Sequence, residues 1–198
     1  MKKVLNVGGN NKSIALPEQY AGWEHILLDI DPTGHPDIVC DARDMTQLPA
    51  LEYDSICCLH NLEHYYRHDV KKVLAGFLHV LKDDGFALIC VPDMALVMRT
   101  VAEKQLDIDD VLYMSSMGAI KVHDVIYGLG SQIEQSGCDF YAHKTGFTDK
   151  SLLAVLKDAG FSTIIMISNP NALEIWAIAF KNQVTDYVLN LFGLNLGR

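Results

Sequence analysis

The densest group of chemically capable side chains is the string His60-Asn61-Leu62-Glu63-His64. It matches H-x-x-E-H, the inverted zinc-peptidase pattern. That chemistry needs one continuous helix, so that both imidazoles face one ion and the carboxylate faces its water. Here the apolar run Asp54-Ser55-Ile56-Cys57-Cys58-Leu59 leads directly into His60 and leaves the first histidine outside any helix. The string therefore reads as the end of a strand, with Glu63 placed to hydrogen-bond His64, and no metal is expected. A further histidine, His143, stands in Asp139-Phe140-Tyr141-Ala142-His143-Lys144. An imidazole near its ordinary pKa suits removal of a proton from an oxygen or nitrogen nucleophile. His64, oriented by Glu63, and His143 are the two candidates for that task; a surface loop position is the other reading of His143.

More such residues gather where other short apolar runs end. Gly8-Gly9-Asn10-Asn11-Lys12-Ser13 follows Val4–Val7. Glycine lets a backbone turn with positive φ and approach a ligand closely, and asparagine is the next most tolerant residue. The loop is not G-x-G-x-x-G, and a plain strand-to-loop turn would use the same residues. Asp29 and Asp31 follow the run that starts at His25. Asp29 comes roughly 20 residues after the glycines, the spacing at which a carboxylate accepts both ribose hydroxyls of an adenine nucleoside. Two solvated acids before Pro32-Thr33-Gly34 are the alternative. Asp41-Ala42-Arg43-Asp44 follows Asp37–Cys40, and Asp41 is placed to accept a hydrogen bond from an adenine amino group. Nucleoside-compatible features at successive strand ends are more specific together than any one alone.

The elements that must position these residues alternate. Val70, Val73, Leu74, Phe77, Leu78 and Leu81 fall at helical spacing between the runs 54–59 and 86–91, with Asp69 placed as the cap and Gly85 after the end. Strand, crossover helix and strand imply parallel pairing. From Asp93 to Phe147 the period changes. Asp93 caps a helix through Met94, Leu96, Val97, Thr100 and Val101; a second helical pattern covers Val111, Leu112 and Met114; Gly128, Gly130, Gly137 and Gly146 punctuate the rest. Residues 93–147 read as a helical and loop insertion within a single domain, 1–198. A helix through Leu152, Leu153, Leu156 and Ala159 stops at Gly160. The runs 163–167 and 174–180 are too close for a parallel crossover, so they pair antiparallel. Val184, Tyr187, Val188, Leu191 and Phe192 form an apolar helical face that either docks on the core or joins two copies of the chain.

The order of motifs resembles a family. Val-Leu-Asn-Val-Gly-Gly-Asn (4–10), Gly-Trp (22–23), Leu-Asp-Ile-Asp-Pro (28–32) and Asp-Ile-Val-Cys-Asp-Ala-Arg (37–43) come first. Tyr-Asp-Ser-Ile (53–56), His-Asn-Leu-Glu-His (60–64), Val-Leu-Lys-Asp-Asp-Gly (80–85), Val-Pro-Asp (91–93), Phe-Thr-Asp-Lys-Ser-Leu (147–152) and Ala-Gly-Phe (159–161) follow. Over about residues 3–181 the chain resembles class I S-adenosylmethionine-dependent methyltransferases, in particular the small bacterial branch with Leu-Glu-His after the fourth strand.

The resemblance implies an α/β, Rossmann-like, seven-stranded and mostly parallel sheet. Its last strand is antiparallel, and helices lie on both faces. It implies that Gly8, Gly9 and Asn10 line the methionine moiety, that Asp29 with Asp31 takes the ribose, that Asp41 and the Ala42 backbone take the adenine, and that His60 sits beside the cofactor. The activity implied is methyl transfer to an oxygen or nitrogen of a small molecule, with the insertion and its Met94, Met98, Met114 and Met117 as the acceptor wall. Asn6 stands where an acid is common, Asn10 and Lys12 replace later glycines, and Pro17 interrupts the helix expected after the loop, leaving Lys12 to pair with the cofactor carboxylate. These departures keep a non-catalytic binding protein of the same fold as the alternative. A nicotinamide-dependent oxidoreductase lacks its glycine fingerprint.

Composition narrows the partners. The 198 residues are 49% hydrophobic and 21% charged, with a formal charge of −9. That acidity disfavours nucleic acid and anionic membrane as partners. Cys40, Cys57, Cys58, Cys90 and Cys138 are odd in number and lack C-x-x-C spacing, as expected of reduced thiols. The apolar stretch after Met1-Lys2-Lys3 is too short for a signal sequence, so a cytoplasmic location is expected. No length remains for a separate substrate domain; the acceptor must be held by the insertion or by a second subunit.

Overall fold

The computed structural model describes residues 1–115 and 118–194. The apolar runs form β1 (Lys3–Val7), β2 (Glu24–Asp29), β3 (Ile38–Val39), β4 (Tyr53–Leu59) and, after helix α1 (Val70–Val80), β5 (Leu81–Pro92). These strands pair in parallel. Helix α2 (Met94–Lys104) is followed by the hairpin β6 (Val111–Ser115) and β7 (Gly118–Lys121), then by α3 (Val122–Tyr127) and α4 (Gly130–Ser136). Helix α5 (Asp149–Ala159) leads to β8 (Thr163–Asn169), β9 (Glu174–Phe180) and the tail helix α6 (Asp186–Leu191). The main sheet has the order β3-β2-β1-β4-β5-β9-β8, and β9 runs antiparallel to both its neighbours. The strand order along the sheet reverses between β1 and β4, the switch point where ligands collect in open α/β sheets.

Alternation along each strand separates two faces. Leu5, Val7, Ile56, Cys58, Ala87 and Ile89 point to the side covered by α1 and α5, where Phe77, Leu152 and Leu156 are fully buried. Val4, Cys57, Phe86, Leu88, Ile178 and Phe180 point to the other side, covered by Tyr20, Trp23 and the tail residues Val188, Leu191 and Phe192. The apolar face of the tail is thus docked on the core. A third cluster, Val97, Leu112, Val122 and Val125, lies between α2, the hairpin and α3. Asp93 and Phe147 meet in an isolated bridge, and the Met94 N–H donates to the Phe147 carbonyl at 2.8 Å.

Several expectations are corrected. Residues 111–114 form a strand rather than a helix: they pair antiparallel with β7, Met114 opposite Ala119 and Tyr113 opposite Ile120, with an irregularity between Val111 and Tyr113. Asp69 stands at the N-cap position of α1, but its side chain makes no capping bond. A turn beginning at Tyr66 already satisfies the Asp69 and Val70 N–H groups, and the Asp69 carboxylate turns to Lys72 at 2.7 Å and Arg43 at 3.4 Å. Gly85 lies within β5, because α1 ends at Val80. Between β1 and β2 there is no α-helix, only a 3-10 turn at Glu18–Tyr20, preceded by Pro17 and by a glycine- and asparagine-rich loop of low helix propensity. Asp93 does cap α2, accepting from the Ala95 and Leu96 N–H groups. The cysteines are free thiols, and burial pushes Cys57 up to about 12. No described helix is long and apolar enough to cross a membrane.

Candidate functional site

Gly8 leaves β1 with φ +72°, and its N–H donates to the Leu28 carbonyl at 2.8 Å. A Cβ there would lie 1.9 Å from Asn61 Nδ2, so the residue after β4 rests directly on the glycine. At Gly9 a Cβ would lie 2.0 Å from Nδ2 of Asn6, which also contacts His25 Nε2 at 3.2 Å. Asn10 is left-handed, φ 60°, and its N–H donates to Asp29 Oδ2 at 2.8 Å. The Asp31 N–H donates to Asp29 Oδ1 at 2.9 Å. Two backbone donors thus fix the Asp29 carboxylate at the carboxyl end of β2 and leave lone pairs over for a ligand.

A cavity of about 300 Å³ opens above these loops, lined by Gly8, Asn10, Asp29, Asp41, His60 and His143 among others. Asp41 caps the 3-10 turn Ala42–Gln47 and is gripped by Arg43, whose Nε lies 3.0 Å from both carboxylate oxygens; that contact holds the Asp41 pKa below the ordinary range. Asp31 and Ala42 are not part of the lining. Asp31 is spent on the turn Pro32–Gly34 and on the Tyr141 hydroxyl, and Ala42 is buried beneath its turn. Lys12 pairs with Asp37 at 2.7 Å and does not line the cavity.

A second cavity of about 410 Å³ lies on the far side of His60 and His143, lined by Glu63, Tyr113, Asp124, Leu129 and Glu174 among others. Met94, Met98 and Met114 are absent from its lining. Met94 packs on Gly146, Met98 and Met114 are exposed, and Met117 lies outside the described residues. The two cavities share His60, Leu129 and His143.

The wall between them is polar. His60 is left-handed, φ 49°, with Nε2 3.1 Å from Glu174 Oε1 and 3.7 Å from Cys90 Sγ, and Nδ1 3.6 Å from Glu63 Oε1. Desolvation opposes charge on His60, but these three neighbours outweigh it and raise its pKa well above the ordinary histidine value. Glu63 is 2% exposed and neither carboxylate oxygen receives a hydrogen bond. Burial pushes its pKa up; His60, His64 and His143 together bring it below the usual range. The expected Glu63–His64 hydrogen bond is therefore not made. His64 Nδ1 instead donates to the Ala142 carbonyl at 3.1 Å, and His143 Nδ1 donates to the Val125 carbonyl at 2.9 Å. The two rings meet edge to face, centroids 4.9 Å apart. Burial pushes the His143 pKa down.

Sequence reasoning did not single out Asn61, Tyr65, Gln132 or Tyr141, all of which line the first cavity. Asn61 lay inside a string chosen for its ionisable neighbours. Tyr141 is brought in by a contact 110 residues long in sequence, which no local pattern announces.

No model of a protein family matches the sequence, and neither does any curated protein. Solved structures do. A SAM-dependent methyltransferase from Archaeoglobus fulgidus is 17% identical, with TM-score 0.55, over 91% of this chain and 86% of that one. The 1,6-didemethyltoxoflavin-N1-methyltransferase of Burkholderia thailandensis, solved with 1,6-didemethyltoxoflavin and S-adenosylhomocysteine bound, is 15% identical, with TM-score 0.51, over 92% and 72%. An O-methyltransferase family protein from Burkholderia thailandensis is 11% identical, with TM-score 0.57, over 91% of this chain and 51%, about half, of that one. The chain has the class I S-adenosylmethionine-dependent methyltransferase fold. Within that fold it departs at the first crossover, where a turn replaces a helix, so no helix N-terminus faces the cavity from the glycine loop. The residues present nonetheless suit the cofactor. The glycine without a side chain, the fixed Asp29 carboxylate and the buried Asn61 Oδ1, which has no hydrogen-bond partner, form an acceptor-rich cradle for a cationic nucleoside.

Proposed function

We propose that the protein transfers a methyl group from S-adenosylmethionine to an oxygen or nitrogen of a small molecule. The observation that carries this is the pair of cavities sharing His60, Leu129 and His143: one is walled by the nucleoside-type loops, the other by residues of the 93–147 segment. The cofactor supplies an already activated methyl, so the protein's task is alignment, which can be worth roughly 7–11 kcal/mol. Asp29 would hold the ribose and Asn61 Oδ1 would accept from the cofactor's ammonium. Asp41, shared with Arg43, would receive the adenine amino group. Tyr113, Asp124 and Glu174 would face the acceptor. His143 and His64 keep their Nδ1 protons on backbone carbonyls, so each neutral ring has an unprotonated Nε2. In this reading the acidic surface leaves the acceptor a small molecule rather than a nucleic acid, and the apolar tail face is already covered.

Titration calorimetry with S-adenosylhomocysteine tests the reading. One site per chain is expected. No heat from folded protein at millimolar ligand would refute it.

A further inference from the structure

We infer that Glu63, His64 and His143 form a binding site for a first-row transition-metal dication at the junction of the two cavities. One ligand atom from each of the three lies within 4.8 Å of the others. A backbone carbonyl can only accept, so the bonds to Ala142 and Val125 place a proton on Nδ1 of both imidazoles and leave the Nε2 lone pairs free. Donating the second ring N–H to a carbonyl is the outer-shell arrangement that orients metal-binding histidines. The third member, Glu63, is a carboxylate 2% exposed with no hydrogen bond to either oxygen. A buried anion in that condition carries a desolvation penalty that a bound cation removes.

The backbone fixes the three groups from two distant segments. The 3-10 turn Leu62–His64 carries Glu63 and His64 as consecutive residues. His143 arrives from the far end of the 93–147 segment, held there because the Lys144 and Thr145 N–H groups donate to the Glu63 carbonyl at 2.8 and 3.1 Å. His60 is not one of the three: its Nε2 faces Glu174 and Cys90, and its Nδ1 lies 3.6 Å from Glu63 Oε1 without a hydrogen bond, so the ion would take the place of that contact. Two imidazoles and one carboxylate suit zinc and its first-row neighbours, whereas magnesium and calcium prefer all-oxygen shells. Three protein ligands leave a coordination position open. It would face the second cavity, and an acceptor oxygen bound there would lose its proton more readily. That last role rests on the methyl-transfer reading; binding of the ion does not.

The test uses the full chain stripped with EDTA and titrated with Zn²⁺ by calorimetry and with Co²⁺ by visible absorption. One ion per chain is expected, with ligand-field bands for Co²⁺ and a Zn²⁺-dependent rise in Tm. His64→Ala and His143→Ala should each weaken binding about 100-fold or more, since even outer-shell losses reach that size. His68→Ala, a change at an exposed histidine outside the site, should leave binding unchanged. Melting curves in EDTA identify any variant that has not folded, and Glu63→Gln, which keeps the side-chain shape, then takes its place. No ion bound by the wild type, or wild-type affinity in the folded ligand variants, would overturn the inference. S-adenosylhomocysteine binding to the stripped protein is read separately, so failure of the cofactor reading and failure of the metal site give different results.

Discussion

The Tyr141 hydroxyl donates a 2.8 Å hydrogen bond to Asp31 Oδ2. It ties the 93–147 segment to the turn after β2 and holds Tyr141, which lines the first cavity. The Asp31 pKa is lowered first by the Thr33 N–H and then by Tyr141, while burial and Asp31 push the tyrosine up to about 12. Tyr141→Phe removes the latch and keeps the ring. A hydrogen bond of this kind contributes about 0.5–1.5 kcal/mol net. Calorimetry should show S-adenosylhomocysteine binding weakened about two- to tenfold; unchanged affinity would mean that the contact does not hold the cavity closed.

Asp29 has the larger effect. Asp29→Ala removes the carboxylate that both anchors the Asn10 and Asp31 N–H groups and faces the cavity. Two hydrogen bonds to a charged group, at about 1.5–3 kcal/mol each, correspond to a loss of about 100-fold or more in cofactor affinity. Wild-type binding by the variant would show that the ribose contact is misassigned.

Gly8→Ala tests the cradle from the backbone side. The added Cβ would fall 1.9 Å from Asn61 Nδ2, at φ +72°, so Asn61 must leave its place. Left-handed geometry for alanine costs about 1–2 kcal/mol, which the folded domain should survive. Circular dichroism should report a native spectrum with a lowered Tm, and cofactor binding should fall at least about tenfold. A fully bound, native variant would contradict the role given to Asn61.

A pH effect on stability follows from Asp54. It accepts from the Lys3 N–H at 2.9 Å and pairs with Lys82 at 2.9 Å. Burial works against its charge, but Lys82, the Lys3 N–H and Lys2 outweigh it and lower the pKa. A depressed folded-state pKa gives stability that is full above the unfolded value, about 3.9, and is lost as pH falls through the lower folded value. Urea unfolding should therefore show Asp54→Asn less stable than wild type at pH 7, with the gap closing below about pH 4. A gap that persists into acid would point to packing rather than charge.

Much of this architecture is written in local pattern. The near-continuous apolar runs of β1, β2, β4 and β5 are what strands covered on both faces require. The short link between β8 and β9 permits only an antiparallel pair. Gly8, Asn10, Asp29 and Asp41 stand at strand ends, and those ends are where the first cavity lies. What pattern could not show is who bonds whom. Asp31, Asp41 and Lys12 are equivalent acids and bases in sequence, yet Tyr141, Arg43 and Asp37 claim them in space. Adjacency in sequence pairs His64 with Glu63, whereas its partner is the carbonyl of Ala142, 78 residues away. The hairpin β6–β7 was missed because Val111, Leu112 and Met114 are too few letters to distinguish a period of 2 from 3.6.

The replacement of the first crossover helix by a turn bears on the order in which the molecule can be completed. The sheet face left open beside β1 and β4 is closed in part by Val188, Leu191 and Phe192, in and just after α6. While the protein is being synthesised, Val4, Cys57 and Phe86 must therefore wait, partly uncovered, until α6 emerges. The early half can pair its strands but cannot seal them. This side of the sheet is the region most exposed to wrong association before α6 docks, and a chain cut ahead of α6 would remain in that state.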